Sequence, residues 1–216
     1  MKNGKTELVF ILDRSGSMAG LVSDTISGFN SMIDSQKLTK GDCLVTTVLF
    51  DTRFTRLHDR VPLQDVKPLT REDYVPGGCT ALLDAMGDTI RHVAHIHKYS
   101  RREDVPENVL FVITTDGLEN ASHRYSAAEI RKMVDHEQEK YGWQFLFLGA
   151  NIDAFSAAES IGIRKEMTSN FMADSRGMDL GFGSVDNAVR SVRMSMPVAE
   201  SWKADVEADH ARRSGK

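Results

Sequence analysis

The order of apolar runs and amphipathic stretches along the chain predicts alternating strands and helices. Continuous apolar or β-branched runs are typical of strands buried on both faces of a sheet. Apolar residues at helical spacing, such as Ile26, Phe29 and Ile33, indicate amphipathic helices. The predicted strands are 7–12, 43–50, 54–61, 108–115, 143–148 and 163–170, and the predicted helices are 20–37, 81–98, 127–140, 154–160 and 182–196.

Strands separated by helices of this length predict an α/β fold. The short connections require right-handed βαβ crossovers, so we expect a doubly wound, mostly parallel central sheet with helices on both faces. The alternating stretch 54–61 follows a tight turn and is predicted to be one antiparallel edge strand. We expect one domain over residues 1–196 and a polar C-terminal tail over 197–216. Val198, Trp202 and Val206 recur every four residues, which fits either a docked helix over 198–211 or a frayed terminus.

Composition excludes several classes of protein. The formal net charge of −4 in 216 residues gives no general attraction to nucleic acid or anionic lipid. Cys43 and Cys79 are too few for a disulfide framework and are expected to be reduced thiols. No apolar run approaches the roughly 20 residues of a membrane span, and the run 8–12 is too short for a signal-peptide core. We therefore expect a cytoplasmic protein with specific partners and no affinity for nucleic acid or membrane.

Three separate segments supply only hard oxygen donors. They are Asp13, Ser15 and Ser17 in the sequence DRSGS, then Thr80, then Asp116. The first and last directly follow apolar strands, and ligands of parallel sheets collect at the carboxyl ends of the strands. The pattern predicts a divalent cation site at that edge. Mg²⁺ is the expected ion because it prefers oxygen ligands, with Mn²⁺ or Ca²⁺ as alternatives.

These segments resemble the metal-ion-dependent adhesion site of the von Willebrand factor A (vWA) domain. The likeness comprises Asp13-x-Ser15-x-Ser17, Thr80 in a Gly-Gly-Cys-Thr loop, and Thr115-Asp116-Gly117, and it covers roughly residues 5–196. More narrowly, the chain is similar to stand-alone bacterial vWA proteins of the tellurite-resistance type. The resemblance implies that Ser15 and Ser17 bind the metal directly, and that the other three residues bind directly or through water.

The expected function is that of a metal-dependent protein-binding module. Two carboxylates leave a divalent ion short of strong ligands, so an open coordination position favours a Glu or Asp from a partner protein. Loop residues near the same end of the sheet are candidates for setting specificity. They are Arg14, Met18, Asp51, Arg53, Glu119, Asn120, His123, Arg124 and Asn151.

Two other functions compete with binding. A magnesium-dependent phosphoryl-transfer enzyme also places an Asp at the end of a parallel strand. Enzymes of the haloacid dehalogenase type carry a second Asp two residues later, where this chain has Ser15. The sequence has neither a Gly-x-Ser-x-Gly elbow nor a phosphate-binding Gly-Lys-Ser/Thr loop, so we do not expect an enzyme. The third reading is a scaffold whose metal only stabilises its loops.

Plainer explanations exist for the individual motifs. Ser15, Ser17 and Thr80 are also good helix caps, and Asp116-Gly117 is a common turn. His92, His95 and His97 lack a further ligand for zinc and fit a half-buried helix face better. Cys79 could sense redox state beside Thr80, or be a small apolar spacer.

Overall fold

The computed structural model describes residues 4–215, which form one six-stranded sheet flanked by helices. The strand order is β3-β2-β1-β4-β5-β6. All neighbours pair in parallel except β2 and β3, which are antiparallel. The predicted fold class, including the antiparallel edge strand, is confirmed. The strands are β1 (Thr6–Asp13), β2 (Cys43–Phe50), β3 (Phe54–Pro62), β4 (Asn108–Thr115), β5 (Gln144–Ala150) and β6 (Thr168–Phe171).

Six α-helices complete the described part of the chain. They are α1 (Val22–Lys37), α2 (Leu82–Tyr99), α3 (Ala127–Tyr141), α4 (Ala154–Ser160), α5 (Ser175–Arg193) and α6 (Ala204–Ser214). Helix α1 packs against α5, and α2 packs against α3, so the two pairs cover opposite faces of the sheet. Strands β1 and β4 lie at the centre, and every residue of β1 is buried. None of the helices within residues 4–215 has the length and apolarity needed to span a bilayer.

Helix α5 begins earlier than the sequence predicts. The prediction started it at residue 182, but the structure starts it at Ser175, with the Asp174 carboxylate accepting a hydrogen bond from the Gly177 amide at 2.9 Å. The first turns of α5 contain several glycines, and because glycine has low helix propensity, the sequence does not predict a helix there. A Cβ atom on Gly177 would lie 1.9 Å from the carbonyl oxygen of Met172. Gly177 therefore lets the chain fold back closely on itself.

The segment after residue 196 packs onto the sheet edge. Trp202 and Val206 are buried, and the Trp202 indole donates a hydrogen bond to the carbonyl of Glu166 at 2.8 Å. The ammonium group of Lys203 donates to the carbonyls of Lys165 and Thr168, both at 2.9 Å. These contacts dock residues 200–214 against β6 and α5. The domain boundary after residue 196 stays a prediction. Residues 1–3 of the predicted domain and residue 216 of the predicted tail lie outside the described residues.

The glycines of α5 provide a matched test of close packing. Gly177→Ala should destabilise the protein by about 1–3 kcal/mol, because the new methyl group meets a backbone carbonyl that cannot move easily. Gly183→Ala, in the same helix with open space around it, should stabilise by about 0.5–1 kcal/mol through helix propensity. Denaturant unfolding measures both values. Equal effects of the two substitutions would contradict the packing argument.

Docking of the C-terminal segment predicts resistance to trypsin at Lys203. This lysine is 2% exposed, so cleavage requires local opening, whereas the exposed Lys40 lies in a loop. Cleavage after Lys40 should therefore precede cleavage after Lys203. Trp202→Ala, which removes a buried aromatic ring at a cost of about 3–5 kcal/mol, should accelerate cleavage at Lys203 at least tenfold. Tyr141→Ala, at an exposed aromatic, is the control and should leave the rate unchanged.

Candidate functional site

The strand order brings the loops after β1 and β4 to one point. The chain reverses direction across the sheet between these two neighbouring strands, and ligands of doubly wound sheets bind at such a switch. Asp13 is the last residue of β1, and Asp116 follows the last residue of β4. The two acidic residues that the sequence places 103 positions apart therefore share the carboxyl edge of the sheet.

A chain of hydrogen bonds joins the two loops. The Ser17 hydroxyl donates to the Asp116 carboxylate at 2.5 Å. Because a hydroxyl has only one hydrogen to donate, Ser17 accepts in its 3.1 Å contact with the Ser15 hydroxyl. The described structure thus brings Ser15, Ser17 and Asp116 into direct contact, as the sequence predicts.

The Asp13 side chain is held rigidly at the base of this cluster. One carboxylate oxygen accepts from the Ser15 amide at 2.7 Å, and the other accepts from the Thr115 hydroxyl at 2.6 Å. The Tyr74 hydroxyl donates to the Asp13 backbone carbonyl. Each carboxylate oxygen keeps a further lone pair, so the side chain is oriented but can still accept another interaction.

The site brings two carboxylates together, and no basic side chain within residues 4–215 pairs with either of them. Burial raises the pKa of Asp13, against its hydrogen bonds with Thr115 and Ser15, and Asp116 adds to the rise. Burial likewise raises the pKa of Asp116, against its bond with Ser17. Arg14, the nearest base in sequence, pairs with Asp51 at 2.9 Å instead. Across residues 4–215, no Lys, Arg or His forms an ion pair with Asp13 or Asp116.

Thr80 reaches the same cluster from a third loop. Gly77 donates from its amide to the carbonyl of Arg14 at 2.9 Å, and the Gly16 amide donates to the carbonyl of Gly78 at 3.2 Å. A Cβ atom on Gly117 would lie 3.4 Å from the Thr80 hydroxyl oxygen and 3.8 Å from that of Ser17. Both hydroxyls therefore border Gly117, so the three loops meet at this residue.

Ser15 and Thr80 do not have the helix-capping role that their residue types also allow. Ser15 precedes a short 3-10 helix (Gly16–Leu21), but its side chain makes no capping hydrogen bond. Helix α2 has Ala81 at its cap position, and its first-turn amides of Leu83 and Asp84 donate to the side chains of Glu119 and Ser122. The Thr80 amide instead donates to the Asn120 side chain at 2.9 Å. The hydroxyls of Ser15 and Thr80 are thus not used as helix caps.

The donor set suits a hard divalent cation. It contains two carboxylates and three hydroxyls, from Asp13, Ser15, Ser17, Thr80 and Asp116, and no nitrogen or sulfur. Within residues 4–215, no group of three or more His, Cys, Asp or Glu side chains is arranged to hold a metal. A cation at this edge therefore needs the hydroxyl oxygens as well as the carboxylates.

The predicted rim residues divide into three groups. Met18 is 2% exposed, so it belongs to the core and the expectation that it contacts a partner is wrong. Arg14, Asp51 and Glu119 are half-buried and hold loops, with Glu119 accepting from the amides of Ala121 and Ser122 at 2.9 and 2.7 Å. The exposed rim residues are Arg53, Asn120, His123, Arg124 and Asn151.

The histidines of α2 have separate partners and do not converge. His97 contacts the fully buried Glu7 at 2.7 Å, and His92 contacts Asp59 at 2.9 Å. The ring of His95 lies against that of Tyr99. His92 and His97 are half-buried and His95 is exposed, which agrees with the solvated or half-buried helix face expected from the sequence. The buried partner of His97 is not predicted by the sequence pattern.

Sequence reasoning missed two residues that position the site. Tyr74 lies in a polar, turn-rich segment and carried no signal, yet it is 1% exposed and bonds to Asp13. Thr115 ends an apolar strand, and its place in the Thr-Asp-Gly motif does not predict that its hydroxyl bonds to Asp13. An isolated aromatic residue within a polar loop was the one available hint for Tyr74.

Comparisons with known proteins give matches only at the level of structure. No protein-family model matches the sequence, and no curated protein matches it either. Manganese-loaded TRAP protein from Plasmodium vivax aligns with a TM-score of 0.57 and 18% identity, covering 83% of this chain and 72% of that one. The vWF domain of the pilus tip protein Mfa5 from Porphyromonas gingivalis aligns at 0.59 and 10% identity, covering 90% and 97%.

A third similar structure is longer than this chain. The ArnB paralog VWA2 from Sulfolobus acidocaldarius aligns with a TM-score of 0.53 and 14% identity, and the match covers 87% of this chain but only 45% of VWA2. Similarity at such identities is evidence of a common fold and not of a common activity. The chain has the fold of the von Willebrand factor A domain.

Proposed function

We propose that this domain binds a divalent cation through Asp13, Ser15, Ser17, Thr80 and Asp116, and that the cation binds a Glu or Asp of a partner protein. The domain would then act by binding and not by catalysis. The single observation that carries the proposal is the pair of buried carboxylates that face hydroxyl oxygens and have no basic partner within residues 4–215.

The electrostatics of the site favour a cation strongly. A buried charge without a partner is costly, so native proteins normally neutralise or pair it. A divalent ion would balance both carboxylates at once, whereas a hydrogen-bond donor such as Ser17 balances neither. Mg²⁺ suits a site with few carboxylates and several hydroxyls, because it keeps part of its water shell. Mn²⁺ and Ca²⁺ remain alternatives, and Mn²⁺ is the ion named for the similar TRAP structure.

The surroundings of the site suit an acidic partner. Arg53, His123 and Arg124 are exposed on loops at this edge of the sheet, and basic rim residues speed association with acidic surfaces. Leu118 follows Gly117 directly and is 65% exposed. We therefore propose that the partner places an apolar side chain near its metal-binding Glu or Asp.

A purely structural metal is the main alternative to partner binding. Such an ion would stabilise the loops without exchanging ligands with another protein. Both versions of the site predict metal-dependent stability, but only the binding module predicts metal-dependent association. Two separate experiments therefore distinguish them.

The first experiment measures stability with and without metal. At Mg²⁺ concentrations near 100 times the dissociation constant, the folded state should gain about 2.7 kcal/mol, which for a chain of this size raises Tm by about 5–10 °C. Asp116→Asn should abolish this rise, because one carboxylate ligand is lost. Asp51→Asn is the control, since Asp51 pairs with Arg14 outside the cluster. A rise of equal size in Asp116→Asn would contradict the assigned ligands.

The second experiment measures association with the partner. Proteins captured from native cells in Mg²⁺ should dissociate on addition of EDTA, and the Ser17→Ala variant should capture at least tenfold less. The fold of this variant is checked by its circular dichroism spectrum. Capture that survives both EDTA and Ser17→Ala, in a protein whose Tm still responds to Mg²⁺, would leave the metal as structural and overturn the bridging role.

A further inference from the structure

A concave surface lies at the opposite end of the sheet from the carboxylate cluster. It is an open groove of about 900 Å³ between the C-terminal halves of α2 and α3, bordered by the segments that enter β4 and β5. Helix α2 begins beside Thr80, and its 18 residues span about 27 Å. The groove is therefore remote from the proposed metal site. Its volume falls within the roughly 300–1,000 Å³ of small-molecule sites.

We propose that this groove binds a small organic anion that has a planar apolar body and a hydrogen-bond donor. The ligand class follows from the charge, the wall and one buried acceptor of the groove. Each of these three features is independent of the metal site, so the proposal goes beyond the function proposed above.

The charge of the groove is positive although the whole chain is negative. Arg91, Lys98 and Arg102 line it, and none of the three forms an ion pair with an acid among residues 4–215. Elsewhere bases commonly have acidic partners, as Arg101 does with Asp104 at 2.7 Å. Lys98 lies in the last turn of α2 and complements the helix dipole. Arg91 and Arg102 lie outside that turn, so the dipole does not account for them, and the Arg91 guanidinium has only the neutral Tyr125 hydroxyl as a hydrogen-bond partner at 3.3 Å among residues 4–215.

The wall of the groove is aromatic and apolar. The Trp143 ring stacks on Phe111, with ring centroids 5.4 Å apart, and meets His97 edge-on at the same separation. Pro106 and the half-exposed Tyr141 extend this wall. Trp143 is 4% exposed, so a planar ligand would contact a small part of its ring together with the half-exposed ring of Tyr141.

One buried acceptor in the groove lacks a partner. Glu137 is 7% exposed, and one of its carboxylate oxygens has no hydrogen bond among the residues described. Burial raises the pKa of this carboxyl group, against nearby His136, His97 and Lys140. A buried oxygen without a partner is unfavourable. This oxygen has essentially no exposed surface, so a ligand N–H or O–H would satisfy it once the Glu137 side chain turns toward the groove.

The fluorescent dye 8-anilinonaphthalene-1-sulfonate is a suitable probe, because it has a sulfonate, one N–H and a planar ring system. The two tryptophans of the chain provide the readout by ¹⁵N-edited NMR. The indole signal of Trp143 should shift on titration, whereas that of Trp202, bonded to Glu166 on β6's side of the domain, should not. A shift of Trp202 without Trp143 would overturn the proposal.

Variants and an uncharged dye distinguish recognition of the ligand's negative charge from nonspecific hydrophobic binding. The double variant Arg91→Gln/Arg102→Gln should bind the sulfonate dye at least tenfold more weakly. N-phenyl-1-naphthylamine lacks the sulfonate, so its affinity for the double variant should differ less than twofold from its affinity for the wild type. Arg53→Gln, at the opposite edge of the sheet, is the control and should bind both dyes like the wild type. Equal loss of both dyes, or no loss of either, would contradict an anion site.

A third variant tests the acceptor. Glu137→Leu should weaken binding of the sulfonate dye at least threefold while the protein stays folded, as checked by Tm. Unchanged or tighter binding would contradict the proposal that the ligand donates a hydrogen bond to Glu137. The titrations are run in EDTA, so their outcome does not depend on whether Asp13 and Asp116 hold a metal.

Discussion

The functional edge of this domain depends on two carboxylates buried at the end of a parallel sheet, which have no basic partner in the described part of the chain. Asp13 and Asp116 are 0% and 4% exposed, and the strands that carry them are neighbours in the sheet. Such an arrangement is unfavourable unless something positive or several hydrogen-bond donors compensate it. The donors present are Ser17, Thr115 and the Ser15 amide, which satisfy oxygens but leave the negative charge.

The loops around this edge are built to hold that arrangement. Glycines occur where loops approach most closely: Gly78 has a φ of +66°, and a Cβ on it would lie 2.6 Å from the Thr52 hydroxyl. Glu119 organises the loop after β4, and its carboxylate also accepts from the Leu83 amide at the start of α2. The site is therefore positioned both by contacts between the loops and by hydrogen bonds among its own side chains.

Periodicity and strand ends were sufficient to predict the fold and the grouping of the oxygen donors. Apolar and β-branched runs such as 43–50 and 108–115 coincide with strands because burial on both faces leaves few polar positions in them. The early start of α5 could not be read, because glycines required by a close backbone contact resemble a loop. Tyr74 and the buried pair of Glu7 with His97 were also hidden, since both depend on contacts between residues far apart in sequence.

For Met18, the sequence predicts a position that the structure contradicts. It lies one residue after Ser17 and was expected at the rim, but the 3-10 turn that follows Ser15 directs it into the core. Position along a loop thus says little about exposure when the loop is tightly wound. The exposed rim is supplied by the short turns after β2 and β5 and by the longer loop after β4.

Anomalous X-ray diffraction from a crystal grown with Mn²⁺ tests the central claim most directly, because it locates the ion itself. The account predicts one strong anomalous peak bordered by Asp13, Ser15, Ser17, Thr80 and Asp116. Mn²⁺ bound elsewhere, with these five side chains contacting only one another and water, would contradict it.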